Sequence, residues 1–422
     1  MKKSKDIELE KRWLDLKRNC DYYFSRVIDY PLCPPEHVYF SSTGRCNLKC
    51  KMCSIPRPEN RIEDELTTLE VKTLIDQIAD MKIDHLTFSG GEPLLRKDIF
   101  ELIEYAVDKK IRMVDMISNG LLINEKAAKK LVSSGVTHIT VSIDGLEEAD
   151  DFIRGKGSFK KAVKALDLIN KYRNNNFPSL GINFTIMDCN IGHILPIIDL
   201  AREKQCNIVV FQPVLSDNTD MQERNRNELW VSQKNIPLLK KTMEEVINLK
   251  KTMRDLTIHV NERILAMVAD YFSGLPLGGN LQCYECIVRI VVSHNGDLWT
   301  CKGIYGNMKT GLLRSRWLSF KAKTIRQDIK QCQNHCLQSC IHLAELSDVY
   351  SEIGKFESAI TGGQADGEYG EKLTALLERH MFLLRKKLAK NSKRAYAADK
   401  DASSNKLKLE IGNLSKILEG SA

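Results

Sequence analysis

Three cysteines, Cys46, Cys50 and Cys53, sit within eight residues of one another in the run Gly44-Arg45-Cys46-Asn47-Leu48-Lys49-Cys50-Lys51-Met52-Cys53. Thiolates at this spacing suit an iron–sulfur cluster. A cubane has four irons, so three protein thiolates leave one iron open to a small chelating molecule. The competing reading, a zinc knuckle, needs a fourth ligand close by, and no cysteine or histidine follows until His85. A second group, Cys283-x2-Cys286, Gly296-x4-Cys301 and Cys332-x3-Cys336-x3-Cys340, also has metal-ligand spacing. Here a zinc ribbon competes, because two cysteine pairs on a β-ribbon build that site too. Cys20, Cys33 and Cys206 have no partner at such spacing and read as packing residues.

Ligand loops need rigid elements beneath them. From His37 to Leu215, short β-branched or apolar runs alternate with helical periods, which predicts βα units and a parallel sheet. Six strands are expected, at His37–Ser42, His85–Ser89, Arg112–Ser118, His138–Ile143, Leu180–Met187 and Ile208–Pro213. Amphipathic helices such as Thr68–Met81 and Phe159–Tyr172 separate them. Right-handed crossovers then give an α/β partial (β/α)6 TIM-like barrel, whose chemistry gathers at the carboxyl ends of the strands. Each strand does run into a small or polar cluster. They are the cysteine loop, Ser89-Gly90-Gly91-Glu92-Pro93, Ser118-Asn119-Gly120, Ser142-Ile143-Asp144-Gly145, Asp188-Cys189-Asn190 and Gln212-Pro213.

The cysteine triplet and the next three of these turns, in this order on consecutive strands, closely resemble the radical S-adenosylmethionine (radical SAM) enzymes over roughly residues 37 to 215. The resemblance implies a 4Fe–4S cluster on Cys46, Cys50 and Cys53. Its open iron would chelate S-adenosylmethionine, whose cleavage yields a 5′-deoxyadenosyl radical that abstracts hydrogen from substrate. It also implies roles for the turns. Gly90 and Gly91, followed by Pro93, would let the backbone approach the ligand, and Glu92 would accept from its ammonium group. Ser118 and Asn119 would reach ribose hydroxyls. Ser142 and Asp144 would contact the ribose or the sulfonium side, Arg154 the carboxylate, and Met52 the adenine through its backbone. Cys189 is a candidate hydrogen-atom donor, against the plainer reading of a buried thiol.

The second cysteine group resembles the SPASM and shorter twitch extensions of radical SAM enzymes. That implies one auxiliary 4Fe–4S cluster on Cys283, Cys286, Cys301 and Cys340. Cys332 and Cys336, joined by His335 or His342, would complete a second. The pattern is short of a full two-cluster extension, with six cysteines and none after Cys340. Asn295-Gly296-Asp297 reads as a hairpin turn, so that Cys286 and Cys301 flank a β-ribbon.

The chain of 422 residues has room for five segments. These are an N-terminal helical segment (1–35), the barrel (36–233), a helical bridge (234–275), a small cysteine-rich SPASM/twitch-like domain (276–345) and a helical, basic C-terminal extension (346–422). Thr361 to Gly367 reads as a linker within the last. Met1 to Leu14 holds no secretory apolar region, and runs such as Ile287 to Val292 are too short to span a bilayer. A cytoplasmic protein without membrane partners is expected. Thirteen cysteines, an odd number gathered at two places, favour metal ligation over disulfides. The net charge is +8, and Arg379 to Lys408 alone carries ten Lys/Arg against Asp399 and Asp401, which accounts for all of it. Aromatic residues are too sparse there for a nucleic-acid groove, leaving a solvated helix face or the docking of an acidic partner.

The expected function is a radical SAM oxidoreductase or maturase served by a reductant such as flavodoxin or ferredoxin. Its auxiliary cluster would anchor substrate or accept an electron. Peptide or protein modification by oxidation, crosslinking or epimerisation leads. The alternative is a small molecule such as an amino sugar, cyclitol or cofactor precursor, since about 36 residues precede the barrel, too few for a winged peptide-recognition domain. A non-catalytic zinc or Fe–S module with a partner-docking tail leaves the strand-end turns unexplained.

Overall fold

The computed structural model describes residues 2–53, 55, 64–215, 228–275, 277, 282–332, 336–337, 341–342, 349, 351–356, 366–395, 408–409 and 411–415. They fall into two compact units, one of residues 34–341 and the other of residues 1–33 with 342–422. Among the described residues no helix is long and apolar enough to cross a membrane.

The larger unit is built on parallel strands β1 (His37–Thr43), β2 (His85–Gly90), β3 (Met113–Ser118), β4 (His138–Ser142), β5 (Ser179–Ile186), β6 (Ile208–Pro213) and β7 (Thr257–Ile258), hydrogen-bonded in chain order. Six are the strands expected from the sequence, shifted by a residue or so at their ends. The seventh, a two-residue strand, is too short to leave a period. Helices α2 (Thr68–Asp80), α3 (Ile99–Asp108), α4 (Glu125–Ser133), α5 (Glu147–Arg154), α6 (Ser158–Tyr172) and α7 (Ile194–Glu203) connect them. Their local causes are plain. Thr67 opens α2 with a capping box, its hydroxyl accepting from Glu70 N while the Glu70 carboxylate accepts from Thr67 N. Val71, Leu74, Ile75 and Ile78 then bury one stripe of that helix. Against it lie Val38, Phe40, Leu86 and Phe88, the alternate residues of β1 and β2, all with no exposure. At the amino ends of the strands His37 stacks on His85, ring centroids 3.9 Å apart. His85 Nε2 lies 2.6 Å from Asp115 Oδ2, which ties β1, β2 and β3 together at the end away from the cysteine loop.

The bridge is helix α8 (Ile236–Thr252), and α9 (Glu262–Ser273) follows β7. The cysteine-rich segment begins with the two-residue strand β8 (Gln282–Cys283) and continues as β9 (Arg289–Val292), β10 (Asp297–Thr300) and β11 (Gly303–Asn307), then α10 (Leu313–Trp317) and α11 (Phe320–Lys330). The expected hairpin is present, with Gly296 at φ +90° between antiparallel β9 and β10. β9 also pairs in parallel with β1, from His37↔Arg289 to Phe40↔Val292, so the ribbon extends the barrel's sheet to ten strands.

In the smaller unit α1 (Lys2–Ile28) and α12 (Asp366–Ala395) bury Trp13, Leu16, Cys20, Phe24, Leu373, Leu377 and Leu384. Asp366 and Gly367 open α12, which corrects the linker reading for those two positions, while 361–365 lie outside the described residues. Part of the basic segment has internal work here. Lys387 Nζ bonds Val27 O and Asp29 Oδ2, both at 2.7 Å, and the fully buried His380 meets Asp21 Oδ1 at 3.0 Å.

Candidate active site

The cysteine loop leaves β1 and is gripped by the turn that leaves β2. Gly91 N donates to Thr43 O and Glu92 N to Arg45 O, each at 2.8 Å. A Cβ on Gly91 would stand 1.9 Å from Arg45 O, and one on Gly90, at φ +118°, 2.5 Å from Thr43 O. The glycine pair therefore admits the backbone of the cysteine loop. Below this contact Glu65, nearly buried, accepts from the Thr43 hydroxyl and from Arg45 Nε at 3.0 Å, and Arg96 Nη1 donates to Ser42 O at 3.1 Å. Glu65 and Arg96 carried no motif, and sequence reasoning missed them.

Glu92 is fully buried. Its Oε1 accepts from Ser118 Oγ at 2.9 Å and Leu94 N at 3.2 Å, and its Oε2 from Asn119 N at 2.8 Å. Burial raises its pKa against those three hydrogen bonds. The carboxylate ties the ends of β2 and β3 together. Pro93 opens a short 3-10 turn over Pro93–Leu95. The Ser118 hydroxyl also accepts from Gly120 N at 3.0 Å, and Asn119 Nδ2 donates to Asn47 Oδ1 at 2.7 Å and lies 3.8 Å from Cys46 Sγ. Both side chains thus serve the cysteine loop and its support.

Asp144, just past β4 and Ser142, has no exposure. Its Oδ1 accepts from Thr185 N at 2.7 Å, its backbone N donates to Asp150 Oδ1 at 2.8 Å, and its carbonyl accepts from Asn190 Nδ2 at 2.8 Å. Arg154 Nη2 closes the group as an ion pair, 2.7 Å from Asp144 Oδ2. Arg154 is thereby paired with a protein carboxylate. Its charge still reaches the cysteine loop: burial pushes the Cys50 thiol up to about 11, and Arg154 pulls it back down. Burial also raises Cys46, against a hydrogen bond from Leu48 N. Lys51 N donates to Ile153 O at 3.0 Å, docking the loop on α5, and Met52 is half-buried against the core. Cys189 is exposed on the 3-10 turn Asp188–His193, where the charges of Lys51 and Asp144 act on it.

The donor set at Cys46, Cys50 and Cys53 fits a cubane. The three thiols feel one another's charge, yet among the described residues no three His, Cys, Asp or Glu side chains converge on a single-ion position. Ligands spread around a loop suit a cluster in which each binds its own iron.

The second region is different in kind. Cys286 is buried at φ +64°, and burial pushes its thiol up to about 12. Trp317 Nε1 donates to its carbonyl at 3.0 Å. Arg326, 3% exposed, donates from Nη1 to Trp317 O at 3.0 Å and stands 3.7 Å from Cys286 Sγ. Its Nε and Nη2, the Tyr305 hydroxyl and Glu285 Oε1 are buried without a hydrogen-bond partner of ordinary geometry. The orphaned donors at this thiol, Arg326 Nε and Nη2 and the Tyr305 hydroxyl, fit a missing anionic group, which the Glu285 oxygen, an acceptor, does not. Cys283 is half-buried and Cys301 exposed. Cys332 and Cys336 are half-buried, whereas Cys340, His335 and the side chain of His342 lie outside the described residues.

Residues 40–201 match the Radical SAM superfamily. The chain is 39% identical over 175 residues to the Fe-coproporphyrin III synthase of Methanosarcina barkeri, covering 41% of this chain and 43% of that protein. It is 33% identical over 172 residues to the mycofactocin maturase MftC of Mycolicibacterium smegmatis, covering 40% and 42%. The chain thus spans less than half the length of these relatives. The crystal structure of native anSMEcpe with bound AdoMet and Cp18Cys peptide superposes with a TM-score of 0.55 at 18% identity, covering 77% of this chain and 97% of that one. At that identity the likeness is one of fold.

Proposed function

We infer that this chain, a member of the radical SAM superfamily through residues 40–201, is a cytoplasmic enzyme that reductively cleaves S-adenosylmethionine and abstracts hydrogen from a peptide or protein, which it oxidises, crosslinks or epimerises. In this superfamily the 4Fe–4S cluster and S-adenosylmethionine supply, when bound, the 5′-deoxyadenosyl radical. The observation that carries the reading is the backbone interlock between the cysteine loop and the Gly90–Pro93 turn. It anchors the start of the loop that carries Cys46, Cys50 and Cys53. Arg154 keeps a buried positive charge near Cys50 and so favours its thiolate. Cys283, Cys286, Cys301 and Cys340 are the proposed ligands of an auxiliary cluster, a reading supported by the orphaned polar atoms around Cys286. Cys189 is retained as the candidate hydrogen-atom donor for an epimerisation, and an unchanged product from Cys189→Ala would remove it.

Two observations support a peptide substrate: one relative is named a maturase, and the anSMEcpe structure holds a peptide. A second reading, a tetrapyrrole cofactor precursor, is favoured by the relative named Fe-coproporphyrin III synthase. The test is 5′-deoxyadenosine formation by anaerobically reconstituted protein with dithionite, or with flavodoxin or ferredoxin as reductant. The parent should form it and Cys50→Ala should not; equal formation by both would reject the cluster assignment. Adding candidate peptides or iron-coproporphyrin III then separates the substrates, by which of them changes mass in step with that product.

A further inference from the structure

Cys286 is held by more of the protein than a packing thiol requires. Its left-handed backbone is fixed by Ile287 N and Val288 N, which both donate to Tyr284 O, at 3.0 and 3.1 Å. Two side chains, Trp317 Nε1 at 3.0 Å and Arg326 Nη1 at 3.4 Å, donate to its carbonyl. An L-residue persists in such a conformation where its surroundings over-determine it. The same Arg326 reaches past the carbonyl to the sulfur, 3.7 Å away.

Arg326 is a buried cation whose counter-charge is missing among the described groups around it. Its acceptors are two carbonyls and a thiol, and two of its three guanidinium nitrogens, Nε and Nη2, have none. The one carboxylate close to Cys286 in sequence, Glu285, makes its ion pair with another cation, its Oε2 holding Arg289 Nη2 at 2.6 Å and Nε at 2.9 Å, while its Oε1 makes no hydrogen bond to Arg326. A guanidinium withdrawn from water in this way requires an anion with acceptors on more than one side. A thiolate-ligated iron–sulfur cluster is such an anion, with a net negative charge and sulfurs that accept N–H hydrogen bonds.

We propose that Arg326 is the counter-ion and hydrogen-bond donor of the auxiliary cluster ligated by Cys286, and that it sets that cluster's reduction potential. The proposal rests on the auxiliary-cluster reading above. Arg326 is a positioning and tuning residue: it acts on the ligand and the cluster's charge, and its partner Trp317 holds the guanidinium in place through its carbonyl. Reduction adds negative charge, so a fixed cation at the cluster edge stabilises the reduced form and raises the potential.

The test uses the full chain with Cys46, Cys50 and Cys53 replaced by Ala, anaerobically reconstituted, so that only the second region can hold iron. Iron per chain checks the underlying reading, and a redox titration followed by electron paramagnetic resonance checks the proposal. In Arg326→Gln the iron should stay and the midpoint should fall by about 59 mV or more, which is tenfold in the equilibrium of a one-electron couple. Arg326→Lys keeps the charge but loses the planar fork, so its midpoint should fall by less than that of the Gln variant. It also carries the decision if the Gln variant fails to fold. A midpoint unchanged in Arg326→Gln at normal iron content, or in Arg326→Lys where the Gln variant fails to fold, would overturn the role of Arg326. Zinc, or no metal, in the Arg326 parent would instead overturn the auxiliary cluster itself.

Discussion

The two cysteine regions treat their polar atoms in opposite ways. In the loop after β1, the carboxylate of Glu92, the hydroxyl of Ser118 and the amide of Asn119 are all answered by other protein groups. Around Cys286, Arg326 Nε and Nη2, the Tyr305 hydroxyl and Glu285 Oε1 have no hydrogen-bond partner of ordinary geometry, whereas the comparable atoms of the first region, Asp144 Oδ2 and Arg154 Nε, lie within the Arg154–Asp144 ion pair. The first region answers its polar atoms largely within itself, and the second leaves buried donors over. In the first region the residues of the strand-end turns work mainly on one another and brace the cysteine loop.

That contrast breaks most visibly at Gly91. Gly91→Ala places a methyl on the carbonyl of Arg45, and the loop must leave the turn. Thermal unfolding should report about 3 kcal/mol lost, and the first cluster's share of iron should vanish. Parent-like iron in this variant would mean that the interlock is dispensable. Removing metal sharpens the comparison from the other side. In chelator-treated protein, hydrogen exchange should accelerate about a hundredfold in β9, β10 and α11, the effect of losing a ligand present at a hundred times its Kd, while β2 and β3 stay protected. Uniform acceleration would show that the two regions depend on metal alike.

A smaller effect is expected for Asn119→Ala, which strips Asn47 Oδ1 of its donor beside Cys46. Cluster affinity or 5′-deoxyadenosine formation should fall about tenfold, the usual scale for a group that orients a metal ligand, with stability lowered by about 1 kcal/mol. The smallest change lies in the unit of α1 and α12. Burial lowers the pKa of His380, whose ring stacks on Phe24, despite the Asp21 carboxylate and with Arg379 and Lys17 adding to the lowering. At Asp21 burial acts to raise the pKa, but hydrogen bonds from His380 and Lys17 outweigh it. Both groups bind protons more readily when unfolded. This unit's stability is therefore full above pH 6.5, falls as pH drops through that value when His380 must charge, and falls again below pH 3.8 as Asp21 protonates. Exchange rates in α1 and α12 measured against pH check this, and His380→Gln should flatten the upper step.

The strands were legible because their apolar and β-branched runs keep a period of two, and the turns because small and polar residues punctuate them at each strand end. What the turns do was less legible. A Gly-Gly pair announces a close approach without saying to what, and here the approaching group is the backbone of Arg45, some 45 residues earlier in the chain. Glu65 and Arg96, which brace the loop, sit in charged stretches that look like any solvated surface. Arg326 is the same kind of case. It lies on the buried stripe of α11 with Ala322, Ile325 and Ile329, and only the fold brings it to a thiol forty positions away. The basic segment after Arg379 read as solvated or partner-binding, yet His380 and Lys387 within it are held by Asp21 and Asp29.

The parallel pairing of β9 on β1 also sets an order of events during synthesis. β1 is the strand that delivers the first cysteine loop, and one of its two edges stays unpaired until Arg289–Val292 has been made, about 250 residues later. At about 5–20 residues per second the ribosome leaves that edge open for roughly 12 to 50 s. An open apolar strand edge is a template for pairing with other chains. The nascent chain therefore carries an open strand edge beside its first cysteine loop, and the ribbon that carries the second set of cysteines is also what closes it.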